Sequence, residues 1–276
     1  MSGDEIAIIG GGNMGRALVG GLLRSGIAPR SISVGEPSEA ARTSLQQEFG
    51  CCALPDNEQA IAGAGVVVLA VKPQETAKVV SSMRLRLAEL APVVVSIAAG
   101  IETRSLEAWC GAGVPVVRAM PNRPALVGAG ATALYAGPHV GPGARDRAEA
   151  VMRAVGAVVW VSEESLIDLV TALSGSGPAY FFFLAESMMQ AAVRRGLDPQ
   201  AARVLAVETL HGAGALAHTS GDLRRLRAEV TSKGGTTEAA LEVFGAENGL
   251  AELVQRAIDA AAQRGRELAR QFGTAD

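Results

Sequence analysis

Thr231-Ser232-Lys233-Gly234-Gly235-Thr236-Thr237 sets two glycines and several hydroxyls directly ahead of the amphipathic run Glu238 to Phe244. A turn of this composition at the start of a helix can hold an anion. Gly234 and Gly235 leave backbone N–H groups unobstructed, the hydroxyls of Ser232, Thr236 and Thr237 can cap or donate, and the first helical turn carries unsatisfied donors at the positive end of its dipole. A carboxylate is a natural guest for it. The same residues also describe a plain capped loop, so the meaning of the turn depends on what else the chain contains.

The N-terminus supplies a second candidate. Ile6-Ala7-Ile8-Ile9 reads as a buried strand and runs into Gly10-Gly11-Gly12-Asn13-Met14-Gly15, with a helical pattern from Arg16 to Leu23 behind it. This is G-x-G-x-x-G between a strand and a helix, the context in which it binds a dinucleotide. Gly10 makes the tight turn, Gly12 admits a pyrophosphate to the backbone at Asn13 and Met14, and Gly15 lets helix and strand pack closely. A second strand, Ser31 to Val34, ends at Gly35-Glu36. Glu36 sits close to the spacing of roughly 20 residues expected for the acid that meets an adenosine ribose.

These loops need a sheet behind them, and strands and helices alternate through the first half. A helix at 38–49 precedes Asp56-Asn57-Glu58-Gln59, and the strand Val66 to Val71 ends at Lys72-Pro73. A helix over 75–90 leads to Val93–Ile97, closed by Ala98-Ala99-Gly100. Short strands follow at Val114–Arg118 and Gly130–Tyr135, then a helix over 144–155 and a strand from Ala157 to Val161. The pattern predicts an α/β fold with a doubly wound sheet. Ligands in such sheets sit beyond the carboxyl ends of the strands, so Lys72-Pro73, Ala98-Ala99 and Pro121-Asn122 should rim one crevice, with Ala70 and Val71 also counted as cofactor-binding candidates. Pro and Asn also end strands as ordinary loop residues.

From Glu163 onward the strand signal disappears. Helices are expected over Ser165–Leu173 and Ala179–Arg195, broken by Ser174-Gly175-Ser176-Gly177-Pro178, and then over about 199–218, 222–230, 236–245 and 247–271. We place the boundary at 162/163, with a dinucleotide-binding domain before it and an all-helical domain after it. Tyr180, Phe181, Phe182, Phe183, Leu184, Met188 and Met189 are too apolar for a solvated helix face, which points to a core shared with a second copy.

Composition narrows the partners. The chain has 276 residues, 49% of them apolar, with 33 glycines and a net charge of −3, so it has no basic footprint for nucleic acid or an anionic membrane surface. Cys51, Cys52 and Cys110 form neither a paired framework nor a C-x-x-C, and His139, His211 and His218 lack a recognised ligand motif, so neither a disulfide nor a metal is expected. The apolar runs at Val66–Val71 and Ala179–Ala185 are too short to span a bilayer, and the first residues lack the basic start and long apolar run of a signal peptide. The expectation is a cytoplasmic protein.

With these segments in view, the chain resembles pyrroline-5-carboxylate reductases nearly end to end. The likeness rests on Ile9 to Gly15, Ala70-Val71-Lys72-Pro73, Val95-Ser96-Ile97-Ala98-Ala99-Gly100, Arg118-Ala119-Met120-Pro121-Asn122, Ser174 to Tyr180 and the turn at 231–237. It implies a Rossmann domain followed by a helical dimerisation domain, with the active site between the first domain of one subunit and helices of the dimer, and dimers that often build a decamer. The implied reaction is reduction of L-1-pyrroline-5-carboxylate, a cyclic imine carboxylate, to L-proline. By the same resemblance Asn57, Lys72, Pro73 and Ala98 contact the cofactor, Ser174, Ser176 and Gly177 lie by the substrate, and the Thr237 hydroxyl meets the ring nitrogen. NADPH is the cofactor the family favours. Glu36 would repel a 2′-phosphate while Ser38 and Arg42 stand close enough to help one, so NADH should work too.

Two residues depart from the family pattern. Lys233 replaces a proline in the 231–237 turn, restoring an N–H and adding charge at the cost of rigidity, and Arg123 replaces a frequent threonine. Neither removes a group the chemistry needs. A protonated cyclic imine is already an electrophile, and its reduction demands orientation, anion binding and exclusion of water more than a strong base. A β-hydroxyacid dehydrogenase of similar layout would need an acid or base, usually a lysine on the helix facing the nicotinamide, and Ala179–Ala192 contains none. A dinucleotide-sensing regulator would keep the glycine motif but have no use for the 231–237 turn.

Overall fold

The computed structural model describes residues 5–273. In chain order the elements are β1 (Glu5–Ile9), α1 (Asn13–Arg24), β2 (Ile32–Gly35), α2 (Glu39–Phe49), β3 (Cys52–Leu54), α3 (Asn57–Ala60), β4 (Ala64–Leu69), α4 (Pro73–Ser82), α5 (Arg84–Leu90), β5 (Val93–Ser96), α6 (Thr103–Cys110), β6 (Val116–Met120), β7 (Gly130–Ala136), α7 (Pro142–Arg153) and β8 (Gly156–Trp160). Helices follow: α8 (Leu166–Val170), a π-helical turn at Thr171–Gly175, α9 (Gly177–Val193), α10 (Pro199–Ser220), α11 (Leu223–Glu229), α12 (Thr236–Phe244) and α13 (Leu250–Gly273).

The eight strands form one sheet in the order β3-β2-β1-β4-β5-β6-β7-β8. Every pair from β3 through β6 is parallel, β7 runs antiparallel to β6, and β8 runs parallel to β7. The first six strands have the Rossmann order, with the switch point between β1 and β4. Alternate residues of each central strand enter two cores. Ile6, Ile8, Val66, Val68, Val93 and Val95 pack on one face with Leu18, Leu22 and Met152. Ala7, Ile9, Val67, Leu69 and Val94 pack on the other with Val80, Met83 and Leu87. A parallel sheet covered on both sides explains why these strands read as unbroken Val/Ile runs rather than as alternating patterns.

Three elements differ from the sequence expectation. The helix expected over 75–90 is divided at Met83, whose φ of −98° and ψ of 3° leave the helical region and whose side chain is fully buried. Anchoring Met83 in the core turns the chain there, and α5 starts afresh. Strand β3 was not anticipated, because Cys52–Leu54 is too short to carry a periodicity. Helix α6 was also unanticipated, since Thr103, Arg104, Ser105 and Glu107 make its sequence read as loop although Leu106 and Cys110 are buried.

Contacts divide the chain into two units, one containing residues through Gly175 together with the stretch from Ala261 on, the other spanning Ser176–Ala260. The short helix α8 and the π turn therefore belong with the sheet, although strand structure ends at Trp160. In the second unit α9 and α10 pack against each other. The aromatic face of α9 faces outward: Phe181 is 60% and Phe183 70% exposed, and Phe182 and Met188 are exposed as well, as are Leu205 and Leu216 on α10. Joined through the π turn, Leu166–Val193 forms a run long and apolar enough, by length and composition alone, to cross a membrane. The apolar stretches taken separately, such as Ala179–Ala185, are shorter than that, so the run emerges only when the helices join.

Candidate functional site

The glycine loop after β1 has the backbone its sequence demands. Gly10 has φ 109°, closed to most side chains, and a Cβ there would lie 2.6 Å from the Ala70 carbonyl oxygen. A Cβ on Gly15 would collide with the Gly10 carbonyl, so α1 can approach the strand only with glycine at that position. At Gly12 a Cβ would meet nothing within 4 Å, and no side chain caps this N-terminus of α1. The loop is thus an open cradle of backbone donors at the positive end of a helix, which fits the pyrophosphate of a dinucleotide. Asn13 and Met14, the first residues of α1, line a cleft of about 240 Å³ together with Pro121, Asn122, Arg123, Leu126 and Gly175.

The neighbouring strand ends deliver the other candidates to the same edge. Ala70 and Val71 follow β4, and the Ala70 N–H donates to the Ile9 carbonyl at 2.8 Å. Lys72 is the exposed N-cap residue of α4, and Pro73 begins that helix. Ala98, after β5, is buried, and its N–H donates to Ser96 Oγ at 3.3 Å. Asn57 begins α3, with its side-chain oxygen against Gly35 at the end of β2. Glu36, next in the chain, is held by two backbone donors: Gly11 N–H to Oε2 and Ser38 N–H to Oε1, each at 2.9 Å. The Arg42 guanidinium donates to the carbonyls of Glu36 and Pro37 at 2.9 and 2.7 Å.

At the far side of the cleft the Asn122 amide donates to the Ser174 carbonyl, and Ser174 Oγ donates to the Val170 carbonyl. Ser176, Gly177 and Pro178 then start α9. An ionic cluster close to this turn has no signature in the sequence. Arg118, 4% exposed in β6, pairs with Glu164 at 3.1 Å and Asp168 at 3.6 Å. Glu164 also accepts from the Thr103 N–H and hydroxyl at 2.7 and 2.6 Å. Partners this far apart in sequence leave no local signal.

In the helical unit, the 231–237 turn has Gly234 in the left-handed region at φ 70° and Gly235 as the N-cap of α12. Its donors are not all open. The Gly234 N–H donates to Glu238 Oε2 at 2.6 Å, and the Gly235 N–H donates to the Ser232 carbonyl at 3.0 Å. The turn therefore already holds a carboxylate, that of Glu238. Gly235, the N-cap residue of α12, offers no side-chain cap, which leaves the Thr236, Thr237 and Glu238 N–H groups as the donors at the helix start. Lys233 is exposed and Thr237 half-buried.

Among the described residues no group of three or more His, Cys, Asp or Glu side chains could hold a metal ion. Burial, helped by the nearby Glu107 charge, pushes the Cys110 thiol up to about 12, and burial also raises Cys51. Neither thiol is poised as a nucleophile.

A Rossmann-ordered sheet with an open glycine cradle defines a dinucleotide-dependent oxidoreductase fold. Comparisons with known proteins agree. Residues 164–268 match the model for pyrroline-5-carboxylate reductase dimerisation, and residues 5–100 match the NADP oxidoreductase, coenzyme F420-dependent, model. The pyrroline-5-carboxylate reductase of Pseudomonas aeruginosa is 44% identical over 99% of this chain and 100% of its own. The solved structure of such a reductase from Coxiella burnetii superposes with a TM-score of 0.93, at 41% identity over 97% of this chain and 99% of that one. The Plasmodium falciparum pyrroline carboxylate reductase, solved with NADP bound, gives 0.82 at 25% identity over 98% and 99%. The chain belongs to the pyrroline-5-carboxylate reductase family.

Proposed function

We propose that the protein reduces L-1-pyrroline-5-carboxylate to L-proline with NAD(P)H, the last step of proline biosynthesis. The observation that supports this reading beyond family membership is the open glycine cradle at the start of α1, and the chain separately carries a turn whose backbone binds a carboxylate, that of Glu238. When bound, the reduced nicotinamide supplies the hydride. The backbone N–H groups of Asn13, Met14 and Gly15 face the pyrophosphate, and Asn57, Ala70, Val71, Lys72, Pro73, Ala98 and Asn122 border the cofactor along the strand ends.

The substrate carboxylate is received by the start of α12, through the Thr236 and Thr237 N–H groups and the Gly234 N–H that Glu238 otherwise occupies. Ser232 lies beside that turn, and Ser174, Ser176 and Gly177 border the ring. The Thr237 hydroxyl hydrogen-bonds the ring nitrogen and holds the protonated imine oriented toward the hydride, which needs no histidine, cysteine or metal. Self-association covers the exposed aromatic face of α9, and dimers assemble further into a decamer. Cys51, Cys52 and Cys110 are all free, which suits the reducing cytoplasm.

The test is to mix the purified protein with NADH or NADPH and pyrroline-5-carboxylate and to quantify proline. Proline formed in step with nicotinamide oxidation supports the reading. Bound dinucleotide with no proline above a no-enzyme control contradicts it and favours a sensing role.

A further inference from the structure

We propose that Glu36 makes this chain select NADH over NADPH. The inference rests on the dinucleotide-reductase reading above and adds the identity of the cofactor. In sheets of this order, the side chain at the end of the second strand meets the adenosine ribose, where a carboxylate accepts the hydroxyls of NADH and an arginine accommodates the 2′-phosphate of NADPH. Here the second strand ends at Gly35, and the next side chain is a carboxylate.

Two features of the geometry make that carboxylate more than a mobile surface acid. First, both of its oxygens are fixed: Oε2 receives the Gly11 N–H from within the glycine loop, and Oε1 receives the Ser38 N–H from the N-cap residue of α2, each at 2.9 Å. Backbone donors of this kind hold the carboxylate in place. Gly11 itself is tied to this arrangement, because a Cβ there would come within 3.1 Å of Glu36 Oε2 and 2.7 Å of Leu45 Cδ1. Each carboxylate oxygen retains a free lone pair after its backbone bond, enough to accept a ribose hydroxyl.

Second, the two arginines of α1 and α2 nearest this corner in sequence, Arg16 and Arg42, already hold protein partners. Arg42, the arginine of α2, turns its Nη1 back onto the Glu36 and Pro37 carbonyls. Arg16, at the start of α1, donates to Ser44 Oγ and pairs with Glu48 while lying over the Phe49 ring. A 2′-phosphate would bring close to two negative charges against the fixed Glu36 carboxylate. NADPH remains a usable but weaker cofactor.

The experiment is a titration of the full-length protein with NADH and, separately, NADPH, following nicotinamide fluorescence without substrate, for the wild type and for Glu36→Gln. Steady-state kcat/KM with each cofactor is measured in parallel. The wild type should bind NADH at least about tenfold more tightly than NADPH. Glu36→Gln, which keeps the shape and an acceptor but removes the charge, should shift the Kd ratio toward NADPH by about tenfold or more, and kcat/KM should follow. A wild type that binds NADPH as tightly as NADH overturns the selectivity while leaving the reductase reading intact, as does an unchanged ratio in a folded Glu36→Gln. Binding of neither dinucleotide overturns the reductase reading and the selectivity with it. The wild-type ratio decides the matter even if the variant fails to fold.

Discussion

The side-chain amide of Asn122 donates to the main-chain carbonyl of Ser174 at 3.0 Å, while its own oxygen accepts the Ala131 N–H at 2.9 Å. One side chain, 9% exposed, thereby fastens the end of β6 to β7 and to the π-helical turn that precedes α9. A π turn leaves carbonyls without their usual partners, and Asn122 supplies one. Asn122→Ala should cost about 1–3 kcal/mol of stability, because it leaves two part-buried backbone groups unpaired. It should also raise KM for the imine more than it lowers kcat, by freeing Ser174. Denaturant unfolding together with steady-state kinetics checks both, and a stability loss with unchanged KM would show that the contact is only structural.

Arg118 carries the second prediction. It is buried against Glu164 and Asp168, and Glu164 is tied in turn to Thr103 at the start of α6. Removing the guanidinium leaves two carboxylates poorly solvated without their cation, and Arg118→Ala should destabilise the protein by about 3–5 kcal/mol. A midpoint shift in urea corresponding to less than about 1 kcal/mol would mean that water enters and replaces the ion pairs.

Thiol chemistry provides a third. At about pH 8, iodoacetamide should modify exposed Cys52 and spare Cys110, whose thiol is pushed up to about 12 by burial first and by Glu107 second. The same raised value has a consequence for stability. The folded chain keeps this proton more tightly than the unfolded chain does, so the contribution of Cys110 is intact below the ordinary value of 9.0 and is lost as pH rises through about 12. Peptide mass mapping after brief alkylation gives the order, and modification of Cys110 before Cys52 would contradict it.

The turn at 231–237 yields a fourth. Thr237→Ala should lower kcat/KM about ten- to a hundredfold, the worth of a charge-assisted hydrogen bond, with dinucleotide affinity barely changed. Gly235→Val should be worse and act on KM for the imine, because a side chain at Gly235 would run into Ser232, whose carbonyl oxygen would lie 3.0 Å from its Cβ. If both variants stay folded and keep wild-type kcat/KM, the turn is a helix cap and the substrate lies elsewhere.

What could be read from the chain follows from the range of each interaction. The glycine loop, the central strands and the long helices announce themselves over a few consecutive residues, through Gly10 to Gly15, the Val66–Leu69 run and the apolar face of α9. The spacing of Glu36 was legible, whereas its grip on Gly11 and Ser38 and the diversion of Arg42 to carbonyls appear only when β2 lies beside β1. Arg118 and Glu164 belong to different elements, and nothing near either one predicts the pair. Met83 reads as an ordinary helical residue until the core beneath it is known. In the 231–237 turn the sequence pointed to the backbone donors of Gly234 and Gly235, whereas their local bonds leave the first amides of α12, from Thr236 on, as the open ones.

The central claim is that hydride passes from the dinucleotide in the glycine cradle to the imine carbon of a substrate anchored by its carboxylate. The most direct measurement uses nicotinamide cofactor deuterated at the transferring carbon, with pyrroline-5-carboxylate and the purified protein, and locates the label in the product by NMR and mass spectrometry. The account predicts proline carrying a single deuterium on the ring carbon next to nitrogen and away from the carboxylate. Unlabelled proline, or cofactor oxidised with no proline formed, would contradict it.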